Sequence, residues 1–468
     1  MSTRNRFSGC ASIPDLFALA FEHALDHLAG VDIAALQRAK VGAVGPLGWP
    51  TSVQAIAEAS ALLDALSQRE QKARYRLRDP ERRELLAKLG AGSLEDGRRM
   101  FLLALAIDEH FAEYAEDQPP GSPVVVPMPS QFFTETMNPP PPLGQMTPIA
   151  VCRRWLRRFW YVGRTDGLTS LGRLPTPMSC QLDSRTLQML QSARDAEDLR
   201  VALVTWRRHG PADLKKRATP PGCFAVDGLV RPARAGLLND LVDQLNEHRI
   251  HVALLPELAL DADELARLRD RLREKARRFP VLTVAGLTHR PVESGKSHVN
   301  EAVVLNARGE ELLRHEKLEP FSTHDPYLED ILPRQSATYA FLDTPIGRIV
   351  LNICRDFRSD VPMLMNRILG ATLVLVPAYS KRLDFALEEA RILGARQSAM
   401  VFALNPLCDS DLRDATAVYV PVRGKGGEAL RCQADVLPLG GDVVVQICQI
   451  GFKAERNAFL DAGTLLVV

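Results

Sequence analysis

The chain has 468 residues, with 58 Lys+Arg against 57 Asp+Glu, a length that suits two or three domains and a balance that leaves no whole-molecule case for nucleic acid or an anionic membrane as the main partner. Its eight cysteines form no CxxC pair and no zinc-type spacing with His, so neither a disulfide framework nor a structural metal is expected, and reducing cytoplasm is the expected location. No run approaches the ~18 apolar residues needed to cross a bilayer, and MSTRNRFSGCASIPDLFALAFEHALDHL breaks its apolar residues with Pro, Asp, Glu and His, so an unexported protein without membrane partners is expected.

Residues 1–117 read as a mainly helical N-terminal region. Apolar residues recur at three and four in SVQAIAEASALLDALSQREQKARYRL and SLEDGRRMFLLALAIDEHFAEYAED. His23 and His27 are spaced to share a helix face, but no third ligand accompanies them, and the polar edge of an amphipathic helix is the preferred reading over a metal site. Residues 118–149, QPPGSPVVVPMPSQFFTETMNPPPPLGQMTP and its flank, are dense in proline, which removes donors and blocks helix, so a linker or extended strap is expected. Residues 150–197 form a basic and aromatic connecting segment. In VCRRWLRRFWYVGR, Arg153, Arg154, Arg157, Arg158 and Arg164 alternate with Trp155, Trp160 and Tyr161. Such residues can stack single-stranded nucleic acid, yet an amphipathic helix packing its rings on a neighbouring domain is preferred.

From 198 to 468 strand and helix alternate. LRVALVTW reads as a strand, GLLNDLVDQLNEH as a helix, IHVALLPELAL as a buried strand and ADELARLRDRLREKARRF as a helix. PVLTVAGLTHR follows as a strand, then two strands in HVNEAVVLNARGEELLRHEKLEPF joined by a Gly-containing turn, then the strand in GRIVLNICRDF. Helix PMLMNRILG, strand ATLVLVPA, helix LDFALEEARILGARQSA and strand MVFALNP complete the pattern. It predicts a layered α/β domain with its chemistry at strand ends.

Three of those strand ends carry reactive side chains. Glu257 follows HVALLP, Lys317 follows EELLRHE, and Cys354 follows GRIVLNI. A free thiol has a pKa of about 8.5 and needs a base or a cation to attack at neutral pH. Glu257 can take its proton, Lys317 can hold the negative charge that develops on a carbonyl oxygen, and the backbone N–H of Arg355 can serve as a second oxyanion donor. No metal or other cofactor is required. Singly, each residue has a bland reading as a buried cysteine or a surface charge; their joint order favours catalysis.

The order Glu257 in LLPE, Lys317 after NEAVVLNARGEELLRHE, Cys354 in IVLNICRDF, then GATLVLVPA and RILGARQSAMVFALN, resembles the nitrilase or carbon–nitrogen hydrolase superfamily over about residues 198–468. The resemblance implies an α-β-β-α sandwich, the four-layer-forming nitrilase-like fold, commonly paired with a second subunit as a homodimer or higher oligomer. It implies cleavage of an amide, ureido or nitrile substrate through a thioacyl-enzyme, with Glu257 as base, Lys317 as oxyanion cation and Cys354 as nucleophile. It also implies a second glutamate between Lys and Cys. Glu329 in DPYLEDILP is the choice, with Asp325 and Asp330 as rivals.

Some positions depart from the pattern. Arg355 stands where an aromatic or small residue is usual, Glu319 where His or Asn is common, and the loop proline comes late, at Pro362. Glu316 and Glu319 flank Lys317, so an idle surface ion pair is the rival reading of that lysine. Arg358 sits where some carbamoyl-hydrolysing relatives grip a carboxylate, and a solvated loop arginine is its alternative. A binding, signalling or defence effector on the same scaffold, with the N-terminal extension engaging a partner, is the competing function.

Overall fold

The computed structural model describes residues 13–28, 63, 80–81, 83–84, 100, 103–104, 107–108, 125–127, 159–161, 168–169, 172–206, 214–218, 222–229, 235–274, 278–292, 297–322, 328–331, 338–380, 383–397, 399–406, 416–420, 433–439 and 443–451. The chain divides into two compact units, Met1–Met128 with Pro139–Thr165, and Pro129–Asn138 with Asp166–Val468.

In the first unit, helix Ile13–Leu28 buries Ile13, Ala24 and the whole run from Leu16 to Phe21. Phe17 and Phe21, one turn apart, stack at 5.7 Å. Met100, Leu103, Ala104 and Ile107 are helical and buried at the same spacing. The remainder of the sequence expected to be helical, and the His27 side chain, lie outside the described residues. Val125–Pro127 pairs antiparallel with Phe159–Tyr161, placing Val126 opposite Trp160. This corrects the helix expected there: three consecutive aromatics suit a pleated surface better than a helix, where their χ1 freedom is lost against the preceding turn. The rest of VCRRWLRRFWYVGR lies outside the described residues.

The second unit is built on two larger sheets. The seven-stranded sheet runs Glu311–Glu316, Glu301–Asn306, Leu282–Gly286, Val252–Leu254, Asp198–Trp206, Val443–Gly451, Gln433–Leu439. Its three central strands are mutually parallel. Helices Ala235–Glu247 and Ala262–Arg273 cover one face, where Leu238, Leu241, Leu245, Leu265, Leu268 and Leu272 join Ala202, Val204, Ala253 and Val303 in one core. Each such leucine contributes about 1.5–3 kcal/mol by leaving water. The alternate residues Val201 and Leu203 are equally buried. With both faces covered, the strand sequence is apolar throughout instead of alternating.

The six-stranded sheet runs Thr416–Tyr419, Met400–Leu404, Leu373–Pro377, Gly347–Leu351, Thr338–Thr344, Thr176–Cys180. Helices Asp360–Leu369 and Asp384–Gln397 belong to this half; the Tyr339 hydroxyl donates to Asn366 Oδ1 at 2.6 Å. The two sheets meet where His315 packs edge-on against Tyr339 at 5.2 Å and where Thr416 Oγ1 donates to Gln446 Oε1 at 3.0 Å. Helix, sheet, sheet, helix is the α-β-β-α sandwich. It includes strand Thr176–Cys180, which pairs in parallel with Thr338–Thr344, and helix Ser184–Asp195, capped by Asp183. No helix among the described residues is long and apolar enough to cross a membrane.

Candidate active site

Glu257 lies just past strand Val252–Leu254. The Leu255 N–H donates to Val284 O at 2.8 Å and the Ala259 N–H to Gly286 O at 3.0 Å, so the Pro256–Glu257 step is bonded to the neighbouring strand on both sides. Leu258 turns the chain away with a left-handed φ of 59°, and the helix that follows is fixed by a capping box between Asp261 and Glu264. Gly286 makes the close approach possible. A Cβ there would stand 2.5 Å from Glu257 Cα and hard against Pro256 O. Gly286→Ala is expected to push the Glu257 step off its strand, lowering turnover and costing about 1–3 kcal/mol of stability. Denaturant midpoints and turnover measured together check this, and parent-like values for both would contradict it.

Lys317 follows the hairpin of Glu301–Asn306 and Glu311–Glu316, whose turn holds Gly309 at φ 70°. Along the second strand Leu313 and His315 point inward and Arg314 and Glu316 lie half-exposed; the same alternation carries Lys317 inward. Its N–H donates to Asn300 O at 2.8 Å, and its side chain is buried. Nζ donates to Glu257 Oε1 at 2.8 Å and to Glu329 Oε2 at 2.7 Å. Neither flanking acid is the partner, so the surface-pair reading of Lys317 falls. Glu319 instead gives its backbone N–H to Asp356 Oδ1 at 2.9 Å.

Glu329 arrives on a small third sheet, where it pairs with Phe224 of strand Cys223–Leu229. Both its oxygens are occupied. Oε1 accepts from Asn300 Nδ2 at 2.7 Å and from His289 Nε2 at 2.8 Å, and Oε2 accepts from Lys317 and from the Phe321 N–H at 2.8 Å. His289 must donate from Nε2, because its Nδ1 accepts the Val226 N–H at 2.6 Å. The second Asn300 amide hydrogen goes to Glu257 Oε1 at 2.7 Å. Among the described residues, Glu257 Oε2 receives no hydrogen bond. Of the rivals to Glu329, Asp330 pairs with His298 Nδ1 at 3.1 Å, and Asp325 lies outside the described residues.

Cys354 opens the single-turn 3-10 helix Cys354–Arg358, three residues after strand Gly347–Leu351. Its φ of 47° is left-handed, a conformation that costs a non-glycine residue roughly 1–3 kcal/mol. Sγ lies 3.8 Å from Tyr379 O. Asp356 ties this turn to the lysine: its carboxylate accepts the N–H groups of Leu318 at 3.1 Å and Glu319 at 2.9 Å, immediately after Lys317. The Arg355 N–H stands at the start of the turn, where amides lack an in-turn partner. Arg358 is exposed, and no described contact joins it to the cluster.

Burial and the nearby Glu257 charge push the Cys354 thiol up, against Lys317, so at neutral pH it is S–H. Burial also raises Glu257; Lys317 opposes this and Glu329 adds to it. For Glu329 burial acts upward too, but Lys317 and the His289 hydrogen bond outweigh it and hold the carboxyl well below its ordinary range. Burial alone would strip the Lys317 charge, and the two carboxylates reverse that, holding its pKa well above the ordinary value. The cluster is an ammonium between an occupied carboxylate and a half-open one, beside a neutral thiol.

Sequence reasoning missed Asn300, His289 and Asp356. Asn300 sits directly ahead of the hairpin that leads to Lys317, and Asp356 two residues after the cysteine, so adjacency was the only signal either offered.

The part of the chain that carries this sandwich, cysteine turn and Glu–Lys–Glu cluster is also the part that a family profile matches. Residues 236–393, which span Glu257, Lys317, Glu329 and Cys354, match the family profile described as Carbon-nitrogen hydrolase. Residues 236–393 thus hold a carbon–nitrogen hydrolase domain. No curated protein matches the sequence. Similar solved structures include Saccharomyces cerevisiae Nit3, a member of branch 10 of the nitrilase superfamily, at 16% identity and TM-score 0.37, covering 56% of this chain and 93% of that one. An amidase from Nesterenkonia sp. is similar at 17% identity and TM-score 0.35, covering 56% and 96%. The C. elegans NitFhit protein is similar at 16% identity and TM-score 0.37, covering 55% and 61%.

Proposed function

We propose that the C-terminal half hydrolyses a non-peptide carbon–nitrogen bond, in an amide, ureido compound or nitrile, through a thioacyl-enzyme on Cys354. The observation that carries this reading is the difference between the two glutamates. Glu329 has all its acceptor directions filled and can only orient, whereas Glu257 keeps Oε2 open and has the raised pKa of a base. As Sγ attacks the carbonyl carbon, the thiol proton passes to Glu257, and Lys317 Nζ with the Arg355 N–H holds the oxyanion. Collapse expels the amine, which takes that proton. Water then attacks the thioester, giving its proton to Glu257, and the acid leaves as the thiol is restored. A nitrile would enter the same route as a thioimidate. The resemblance also implies pairing with a second copy, and a monomer in sedimentation at micromolar concentration would oppose that part.

Intact-protein mass spectrometry after exposure to an amide and nitrile library tests the reaction class. An acyl adduct mapped to Cys354 is the expected result; turnover with the adduct on another residue would overturn the assignment.

The pH dependence follows from Glu257. Only its carboxylate accepts the thiol proton, and its folded pKa is raised above the ordinary 4.5. Acylation therefore falls as pH drops through the raised value, with its acid limb above 4.5. A single-turnover pH profile checks the sign, and an acid limb at or below the ordinary glutamate value would remove Glu257 from the role.

A further inference from the structure

The parallel strands Asp198–Trp206 and Val252–Leu254 carry Glu257 beyond their carboxyl side, and at their opposite ends lies a cavity of about 860 Å³. That volume falls within the range of small-molecule sites, roughly 300–1,000 Å³. Its walls include Met189, Arg200, Arg249, His251, Arg278 and Phe279. None of these takes part in the cluster around Cys354.

His251 is 9% exposed, and its ring meets Phe279 edge-on at 5.6 Å. Nδ1 accepts the Arg200 N–H at 3.0 Å, so the ring proton sits on Nε2. Burial, opposed by Asp198 and reinforced by Arg200, holds the ring's pKa down to about 4, so it is neutral at pH 7 and keeps that arrangement. Among the described residues, Nε2–H finds no acceptor. The ring thus keeps one N–H to offer a ligand in the cavity.

The carboxylates of this wall are already engaged. Asp198 pairs with Arg200 at 3.2 Å and Asp243 with Arg271 at 2.9 Å. Arg249 and Arg278 are exposed, and neither has a carboxylate partner among the described residues. The cavity therefore presents two guanidinium groups and one imidazole N–H beside an apolar wall of Met189 and Phe279.

We propose that this cavity is a second binding site, for a small organic anion: a carboxylate head taken by Arg249, Arg278 and His251 Nε2–H, with a ring or short apolar body lying on Met189 and Phe279. Guanidinium suits a carboxylate by two parallel hydrogen bonds, and the apolar wall favours an organic anion over a bare inorganic one. The inference stands independently of the reaction at Cys354.

Calorimetric titration of the full chain with benzoate, benzyl alcohol and inorganic phosphate tests it. Benzoate is expected to saturate one site per chain, with the neutral alcohol and phosphate each weaker by about tenfold or more, since each lacks half of the recognition. Arg249→Gln with Arg278→Gln alters exposed side chains only and is expected to weaken benzoate by about tenfold or more without moving the unfolding midpoint. His251→Asn keeps an acceptor for the Arg200 N–H, removes the Nε2 donor, and is expected to weaken benzoate as well. Three results would overturn the proposal: no saturable benzoate binding, phosphate binding as tightly as benzoate, or unchanged benzoate affinity in the double arginine variant, which would put the ligand elsewhere, including at the hydrolytic site.

Discussion

Cys354→Ala is expected to abolish hydrolysis and acyl-adduct formation while leaving the unfolding midpoint within a few degrees of the parent. The change deletes one sulfur from a buried position, a loss of about 1 kcal/mol in the range of small core truncations. The left-handed φ of 47° burdens alanine as much as cysteine, so the strain of the turn is unaltered. The asparagine and tyrosine network behind the turn, in which Asn352 Nδ2 donates to the Tyr339 hydroxyl at 2.7 Å, does not use the thiol. Chemistry, by contrast, loses the proposed nucleophile, and catalysis of this kind falls by roughly 10⁴ to 10⁶ when a nucleophile is removed. Cys448 is the natural control, being buried in strand Val443–Gly451. An acyl adduct on Cys448 or Cys408, or turnover surviving Cys354→Ala, would defeat the proposed mechanism.

Lys317→Met is expected to lower single-turnover acylation about 100- to 1,000-fold, the usual cost of losing an oxyanion donor. It keeps the stem's packing but leaves Glu257 and Glu329 facing one another without the ammonium between them. Breaking a buried pair from one side costs about 3–5 kcal/mol, so stability at neutral pH should fall as well. The sign of its pH dependence is a further check. In the parent, Glu329 has a depressed pKa, so its contribution is present above the unfolded value and is lost as pH falls. Without the lysine, the two carboxylates are pushed up, one of them protonates, and the stability deficit of the variant shrinks as pH is lowered. Glu319→Gln is the contrast. Glu319 is tied to Asp356 through its backbone N–H, which the substitution retains, so turnover should stay near the parent's. Unimpaired acylation in Lys317→Met would remove the oxyanion role.

By itself the sequence determined the layered α/β class and the order Glu257, Lys317, Cys354 at strand ends, because a strand buried on both faces writes itself as an apolar run and its end shows as the first polar residue. It did not announce strand Thr176–Cys180, whose Pro177 and Ser179 suit a sheet edge and carry no apolar pattern, nor strand Phe159–Tyr161, whose aromatic run sits among arginines that read as one helix face. Tertiary structure alone decided which glutamate is open. Glu257 and Glu329 are chemically identical, and they differ only in the donors that Asn300, His289, Lys317 and the Phe321 N–H bring from separate segments of the chain. Such donors are recruited by packing, singly and from loops or strand flanks, where no periodicity marks them; the pKa separation they create exists only once those segments have been buried together.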